Sequence, residues 1–292
     1  MLTAALQLLL ACYVSRAEVL KGWGNNEAQC YTTRPQNARV VARAGGAAGV
    51  LVLSAQFHED GLACLNPGAD NSTRYWSSAR LISRNKAAFG YESTPMKFEA
   101  RVKVPNELGA WPAFWLLPNT HREDCLACGD FGDGWCSSGE VDILEARNRD
   151  GLFRSTVHYG GLPDQSWLDC HQATADFNAS AAVPYWNRVS AVMGNESIAF
   201  YVNDTLVHTV NQTQWYTGGA NKTKDPAAPF NRPFYMLLNL AVGGNFPAAA
   251  TGGNMITDTR RAPYRFMVDW VRVYSWRPTT AGGRRRRSRR FL

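Results

Sequence analysis

The sequence lacks an apolar run that could cross a membrane, and it lacks the periodicities of helical and repeat folds. The apolar run at residues 2–14 is too short to span a bilayer. No stretch keeps apolar residues at a sustained helical period between caps, and no segment recurs at a fixed length. These absences disfavour a membrane-spanning protein, a helical bundle, an α/β layered fold and a solenoid. Since no linker divides the chain either, residues 18–277 are expected to form one domain.

The chain has little net charge apart from its C-terminal arginines. The chain of 292 residues has a formal net charge of +7, and six arginines lie in the segment RRRRSRR at 284–290. Without those six the formal net charge is +1, so we expect no basic face for a phosphate backbone and no nucleic-acid partner. Residues 278–292 are predicted to be a solvated, disordered tail, and a processing site or an anchor for a polyanion are the alternatives.

The N terminus and six glycosylation motifs indicate the secretory route. Residues 1–17 are typical of a signal peptide, in which Ser15 and Ala17 supply small residues near a cleavage point. Five of the motifs lie within 178–221 and predict one exposed, glycan-bearing flank away from the active face. We therefore expect a secreted, extracellular glycoprotein and a monomer. The six Asn-x-Ser/Thr triplets begin at Asn71, Asn178, Asn195, Asn203, Asn211 and Asn221.

Cysteines are few, and their number fits disulfide bonds. Removal of Cys12 with the signal peptide leaves an even number, which suits an oxidising compartment and allows fifteen pairings. A zinc site formed by His121 with three of these cysteines is the less favoured alternative. The six cysteines are Cys30, Cys64, Cys125, Cys128, Cys136 and Cys170, and the zinc alternative would use Cys125, Cys128 and Cys136.

Short segments in which apolar and polar residues alternate predict β-strands. In FEARVKV at 98–104 the apolar residues share one face and the charged residues share the other. Turn residues separate this segment from others of the same kind. The pattern predicts an all-β protein, an antiparallel sandwich. The other predicted strands lie at 50–55, 141–146, 155–160, 198–204, 234–242 and 266–275.

Three acidic residues on one predicted core strand demand a chemical explanation. Glu140, Asp142 and Glu145 lie within six residues, although like charges that are packed together raise one another's pKa and cost stability. Glu140 and Asp142 share a face, but Glu145 would point away on a regular strand. One extra residue restores the phase, so the spacing predicts a β-bulge at Ile143 or Leu144.

With the two glutamates on one face, the pattern indicates a retaining glycosidase. Such enzymes place a nucleophilic carboxylate and an acid/base carboxyl group about 5 to 5.5 Å apart. Asp142 could share a proton that keeps Glu140 ionised while its charge helps to keep Glu145 protonated. The alternatives are three solvated carboxylates on an exposed strand and a calcium site.

The segment around these acids resembles family 16 of the glycoside hydrolases, in its laminarinase-like branch, whose signature E-x-D-x-x-E is matched here. The resemblance spans about 23–276 and implies a β-jelly-roll sandwich with a substrate cleft across a concave sheet, and retention of anomeric configuration. Further segments resemble the family in the family's order: WGNNEAQCYT (23–32), SARLIS (78–83), GAWPAFWLLP (109–118), TVHYGG (156–161), LNLAVGGNFP (238–247) and VDWVRVYS (268–275).

The resemblance implies a role for individual residues. Glu140 matches the nucleophile, Asp142 the assisting acid and Glu145 the acid/base. Three tryptophans match aromatic positions of the sugar cleft, where indole faces stack on pyranose rings, and core packing is their alternative. Three polar residues match cleft positions, and His158 among them could equally be a core histidine. These residues are Trp111, Trp115 and Trp135, and His158, Arg80 and Asn26.

The resemblance leaves the metal and the substrate open. Asp269 matches a ligand of the family's structural calcium, but the N-terminal strand that also contributes to that site is absent from this sequence; no cofactor is expected to be required for catalysis. The expected activity is endo-hydrolysis of β-1,3- or mixed-linkage β-glucan. The alternatives are a galactan hydrolase acting on agar or carrageenan, a transglycosylase, and a non-catalytic β-glucan-recognition protein, and the presence of all three acids favours an enzyme.

Overall fold

The structure is a computed structural model that describes eleven stretches of the chain. They are 25–43, 49–64, 73–84, 86–90, 95–119, 135–162, 165–183, 185–218, 225–253, 263–275 and 287–290, with only the backbone described for 165–168 and 287–290. The predicted signal peptide at 1–17 lies outside them. No helix within these stretches is long and apolar enough to cross a membrane.

Two β-sheets form the fold, with strands numbered along the chain. The larger sheet, here the outer sheet, has the order β1-β4-β3-β15-β6-β11-β12-β13, with β2 on β3 and β16 on β15. All its pairings are antiparallel except that of β1 with β4. Its strands are β1 (Gln29–Tyr31), β2 (Ala38–Val41), β3 (Val50–Ala63), β4 (Thr73–Ser78), β6 (Met96–Lys103), β11 (Asn187–Met193), β12 (Ser197–Val202), β13 (Thr205–Asn211), β15 (Tyr264–Ser275) and β16 (Arg287–Arg290).

The smaller sheet, here the cleft sheet, is antiparallel with the order β10-β9-β8-β7-β14-β5. A short helix, α1 (Asn245–Ala249), follows its strand β14. Phe98, Phe200 and Phe114 are fully buried between the two sheets, so burial of apolar side chains holds the layers together. The strands are β5 (Arg80–Ile82), β7 (Ala110–Pro118), β8 (Glu140–Glu145), β9 (Leu152–Leu162), β10 (Gln165–Asn178) and β14 (Phe234–Val242).

This architecture confirms the predicted all-β jelly-roll sandwich. Each segment predicted as a strand lies in one or extends at most two residues beyond it, and 234–242 coincides with β14. The sequence analysis did not identify β10, although Ala173, Ala175 and Phe177 alternate there with exposed polar residues. That strand forms the edge of the cleft sheet and has one neighbour, β9, and Ala173 and Phe177 pack against the core.

Two disulfide bonds confirm that the cysteines pair, as their number predicts. Cys30 is bonded to Cys64, and Cys136 is bonded to Cys170. The second bond ties the segment before β8 to β10. Because Cys136 is used in this way, it is not free for the alternative zinc site, whose other three residues lie outside the described stretches.

The C-terminal arginines include a strand, β16, within the segment 278–292 that the sequence predicts as a disordered tail; disorder of the rest of that segment stays a prediction. Arg287–Arg290 pairs antiparallel with Arg272–Ser275 of β15. On that side of β15, pairing with β3 ends at Val268. Beyond Val268, β3 leaves the backbone N–H and C=O groups on this side of β15 without a partner. Such an edge is a template for another strand, and β16 pairs with part of it.

The described acceptor asparagines are exposed, as the predicted flank requires. Asn178 follows the edge strand β10, and Asn195, Asn203 and Asn211 lie at turns or ends of strands in the outer sheet. Asn71 and Asn221 lie outside the described stretches. Glycan attachment stays a prediction.

Candidate active site

A cleft of about 280 Å³ crosses the face of the cleft sheet that points away from the core. Strands β7, β8 and β14 supply most of its floor. It brings together the predicted acids, the three predicted tryptophans and Arg80. The described lining residues are Asn25, Glu27, Tyr31, Arg80, Trp111, Ala113, Trp115, Leu117, Trp135, Glu140, Asp142, Glu145, Asn239 and Ala241.

The predicted β-bulge is present and brings the acids onto one face. Against β7, Leu144 pairs with Phe114 and Asp142 pairs with Trp115, which leaves Ile143 as the extra residue. Against β9, the register also shifts between Asp142 and Glu145. Ile143 and Leu144 both enter the core, so the strand regains its phase at Glu145.

Glu140 lies at one end of the acidic row and is held by an indole group. Trp135 Nε1 donates a hydrogen bond of 2.8 Å to Glu140 Oε2, and His158 Nε2 lies 3.9 Å from Glu140 Oε1. Burial, and next the charge of Asp142, raise the pKa of Glu140 well above its ordinary value, although His158 and the Trp135 hydrogen bond oppose this. Ionisation of Glu140 therefore costs free energy, and the cost is lower when its acidic neighbour keeps a proton and is neutral.

Asp142 lies between the two glutamates and is buried. Its Oδ2 atom lies 3.0 Å from His158 Nε2. Burial and the charge of Glu145 raise the pKa of Asp142 well above its usual range, while a hydrogen bond with Glu140 opposes the increase. His158 thus contacts the acids, as predicted for a cleft residue, although it does not line the cleft itself.

Glu145 lies at the other end of the row. Trp111 Nε1 donates a hydrogen bond of 2.9 Å to Glu145 Oε1, and the Trp111 ring packs against Phe246 with centroids 5.1 Å apart. Burial raises the pKa of Glu145, and the Trp111 hydrogen bond and the cations Arg154 and Arg147 partly offset it. The site holds three carboxyl groups whose protonation is interdependent.

Trp115 is fixed by a chain of hydrogen bonds that leads away from the acids. Its Nε1 donates to Asn239 Oδ1 at 2.7 Å, and Asn239 Nδ2 donates to the Tyr31 hydroxyl at 3.1 Å. The Arg80 guanidinium lies 5.9 Å from the Tyr31 ring centroid. Because its N–H is already used, Trp115 offers the cleft an apolar ring surface.

Glu27 is a cleft residue that the sequence analysis missed. It is 5% exposed, and its Oε2 accepts a hydrogen bond of 2.6 Å from Gln29 Nε2. Burial raises its pKa from 4.5 to about 7, although Gln29 and Arg80 oppose this. The available signal was the period-2 row formed by Glu27, Gln29 and Tyr31, which places three polar side chains on one face of β1 and its entry.

Asn26 is corrected by one position. The sequence predicts it as a cleft residue, but Asn25 lines the cleft instead. Asn26 has a φ of 56°, and its Nδ2 donates to Asn245 Oδ1 at 2.9 Å. A turn at this point reverses which asparagine faces the cleft, and strand alternation does not apply across a turn.

Asp269, the predicted calcium ligand, lies in the outer sheet and already binds two cations. Arg43 Nη2 lies 2.8 Å from Oδ1, and Arg101 Nη1 lies 2.5 Å from Oδ2. Two guanidinium groups on one carboxylate would repel a divalent ion, so these residues do not fit calcium. Among the described residues, the one group of three with metal-ligand spacing is Glu140, Asp142 and His158, which contains two of the three acids of the active site.

Comparisons with known proteins agree with this geometry. The model of glycosyl hydrolases family 16 matches residues 53–272. The glucan endo-1,3-beta-glucosidase A1 of Niallia circulans is 31% identical over 266 residues, covering 90% of this chain and 34% of that protein. The beta-glucanase of Rhodothermus marinus is 33% identical over 270 residues, covering 87% of this chain and 76% of that protein. The X-ray structure of the laminarinase from Rhodothermus marinus has a TM-score of 0.64 at 28% identity, covering 86% of each chain. The chain thus spans about a third of the first relative's length and most of the second's.

Proposed function

This chain belongs to family 16 of the glycosyl hydrolases, and we propose that it cleaves β-1,3- or mixed-linkage β-glucan at internal bonds by double displacement. The observation that carries the proposal is the bulge at Ile143, which aligns Glu140 and Glu145 on one face beside a cleft lined with tryptophans. A glycoside hydrolase with two carboxyl groups on one strand needs both to reach one anomeric centre.

The charge of the cleft favours a neutral polysaccharide. Four carboxyl groups line it, those of Glu27, Glu140, Asp142 and Glu145, whereas Arg80 is the single basic residue among its described lining residues. A sulfated galactan would meet repulsion there and would need further arginine or lysine residues. The names of the relatives, an endo-1,3-beta-glucosidase and a beta-glucanase, point to β-glucan as well.

In the first step, a Glu140 carboxylate oxygen attacks the anomeric carbon as the bond from that carbon to the glycosidic oxygen breaks. Glu145 gives its proton to the departing oxygen, so the leaving chain carries a new hydroxyl group. The product is a glycosyl ester of Glu140. The indole N–H groups of Trp135 and Trp111 hold one oxygen of each glutamate, which leaves the other oxygens for the sugar.

In the second step, the ionised Glu145 takes a proton from water, and the oxygen of that water attacks the anomeric carbon. The ester bond to Glu140 breaks, and the sugar is released with its original anomeric configuration. Attack by a sugar hydroxyl in place of water would give transglycosylation by the same chemistry.

Asp142 sets the starting protonation for these steps. The raised pKa values of all three acids mean that the buried row resists carrying three negative charges. We place protons on Asp142 and Glu145 and leave Glu140 ionised, with the Asp142 hydroxyl donating a hydrogen bond to it. His158, close to both Glu140 and Asp142, positions this pair.

We also propose that the protein acts outside the cell after removal of residues 1–17. The two disulfide bonds and the exposed acceptor asparagines support an oxidising, secretory route. Mass spectrometry of the mature protein from a eukaryotic host should show a new N terminus near residue 18 and glycans on the asparagines. An intact Met1 on secreted material would contradict this.

The test of the activity uses four polysaccharides and two matched variants. Purified protein is incubated with laminarin, mixed-linkage glucan, agarose and carrageenan, and product anomers are followed by NMR. We expect β-anomers from the first two substrates and none from the galactans. Glu140→Gln should abolish release of reducing sugar, whereas Glu196→Gln, on an exposed turn of the outer sheet, should not. Initial α-anomers, or activity on the galactans alone, would overturn the proposal.

A further inference from the structure

The outer sheet has a second surface, on the opposite side of the molecule from the cleft. In β6, Phe98, Ala100 and Val102 enter the core between the sheets, so the residues between them point outward, because side chains alternate along a strand. In β15, Phe266 and Val268 enter the core in the same way. A ligand on this outward surface would leave the cleft free.

Basic residues are concentrated on that surface. Lys103 is opposite Met267 of β15, which is opposite Val52 of β3, and Val52 is opposite Arg39 of β2. With about 4.8 Å between neighbouring strands, Lys103 and Arg39 are roughly 14 Å apart at the two ends of this row. In the adjacent row, Arg101 has Arg188 as its neighbour on β11.

Three carboxylates of this sheet already have cationic partners, whereas Glu59 and Asp60 lie exposed near the end of β3. Asp269 contacts both Arg43 and Arg101, Glu99 contacts Lys97 at 2.5 Å, and Asp204 at the sheet edge contacts Arg188. Four cations form no ion pair with any side chain in the stretches that the structure describes, and Asp269 leaves one further guanidinium charge uncompensated. The four are Arg39, Lys103, Arg265 and Arg272.

The backbone of the C-terminal tail joins the same sheet. Strand β16 contains three arginines in four residues, and its backbone pairs Arg290 with Arg272. The formal net charge of the chain without the tail arginines is close to zero, and from it the sequence analysis expected no basic face. A net charge does not describe how charges are distributed, and on this surface the cations outnumber the carboxylates; the absence of a nucleic-acid partner stays a prediction.

We propose that this outward surface, formed by β2, β3, β15 and β6, binds a sulfated polysaccharide. Sulfate esters stay ionised at every working pH, and guanidinium groups, which are weakly hydrated and present several donors, bind such oxyanions well. The acidic cleft repels the same polymer. A sulfated matrix polysaccharide would therefore bind the enzyme on the surface opposite the cleft, while the cleft binds a neutral polysaccharide.

The aromatic residues of this surface argue against single-stranded nucleic acid. The Arg272 guanidinium lies 3.9 Å from the Trp270 ring centroid, and Arg43 and Arg101 lie 5.7 and 5.2 Å from that of Trp186. Proteins that bind single-stranded nucleic acid stack its bases on aromatic rings, and a ring covered by a guanidinium group is not available for such stacking.

The test measures binding of fluorescent dextran sulfate to the full chain at low and at high salt. The parallel probes are neutral dextran, polygalacturonate, a DNA duplex and phosphatidylserine vesicles. The test variant is Lys103→Gln with Arg265→Gln, and the matched control is Lys86→Gln with Arg149→Gln. The control pair is exposed, carries the same charges and lies outside this sheet. A third variant lacks residues 284–292. Hydrolysis of laminarin is measured for the wild type and for all three variants.

We expect dextran sulfate to bind more tightly than the other probes, and we expect its binding to weaken as the salt concentration rises. The test variant should bind it roughly 10- to 30-fold more weakly at low salt, and the control less than about threefold more weakly. Deletion of the tail should weaken binding further, and laminarin hydrolysis should stay unchanged in every form. The proposal is overturned by equal losses in test and control variants, by loss only on tail deletion, or by tighter binding of polygalacturonate, DNA or vesicles.

Discussion

Replacement of the buried Glu27 by glutamine should stabilise the protein, and the gain should grow with pH. The carboxyl group is 5% exposed, and its pKa is raised from 4.5 to about 7 by burial. Below the lower of these pKa values the group is neutral in both folded and unfolded chains and contributes no pH dependence. Between them the unfolded chain loses a proton that the folded chain keeps, so the free energy of unfolding falls as pH rises.

The size of the effect follows from the pKa difference. One pKa unit corresponds to about 1.4 kcal/mol, so ionised Glu27 costs roughly 3 kcal/mol of stability above neutral pH. Glutamine keeps an oxygen that can accept the hydrogen bond from Gln29 Nε2, and it has no charge to bury. Between about pH 5 and pH 8, the advantage of Glu27→Gln should grow by about 2 to 3 kcal/mol, or about 4 to 12 °C in Tm.

Urea unfolding of wild type and Glu27→Gln across this pH range measures the difference directly, since all other titrating groups are common to both. Glu196→Gln, on an exposed turn, is the matched control and should show no such growth. A stability difference between wild type and Glu27→Gln that is constant over the range would refute the reasoning, because a constant difference reflects packing and not ionisation.

Three further results are expected. Glu140→Gln should lower laminarin hydrolysis by roughly 10³-fold or more and raise the urea midpoint at neutral pH, because burial raises the pKa of that carboxyl group; an unchanged rate would contradict its role. Dialysis against EDTA should leave activity and Tm unchanged, because guanidinium groups occupy Asp269; a loss that calcium restores would contradict this. Joint replacement of Cys136 and Cys170 by serine should cost about 4 kcal/mol in urea unfolding, given their separation of 34 residues; an equal midpoint would count against a stabilising bond.

The strands whose residues form a clear apolar pattern could be predicted from the sequence. Strand β14 coincides with its predicted segment because every residue in it is buried. The bulge at Ile143 could be predicted because Glu145 had the wrong parity for a residue that chemistry places beside Glu140. In both cases one local pattern and one physical requirement agreed.

The features that sequence analysis missed depend on long-range contacts. The identity of the cleft asparagine depends on a turn at Asn26, and Glu27 became a buried acid only where β1 approached Gly243 of the cleft sheet. The strand at Arg287–Arg290 forms because the pairing of β15 with β3, a strand far away in sequence, ends at Val268. A summed charge likewise contains no information on which side of a sheet each cation lies.

The extra residue at Ile143 also bears on how motifs of this kind should be compared between proteins. On an unbroken strand, a carboxyl group at position 144 would occupy the side that Glu145 occupies here. Two proteins with acids separated by different numbers of letters can therefore present the same arrangement to a sugar. Alignments that treat one spacing as obligatory would divide proteins that share a reaction, whereas counting side-chain orientations would group them together.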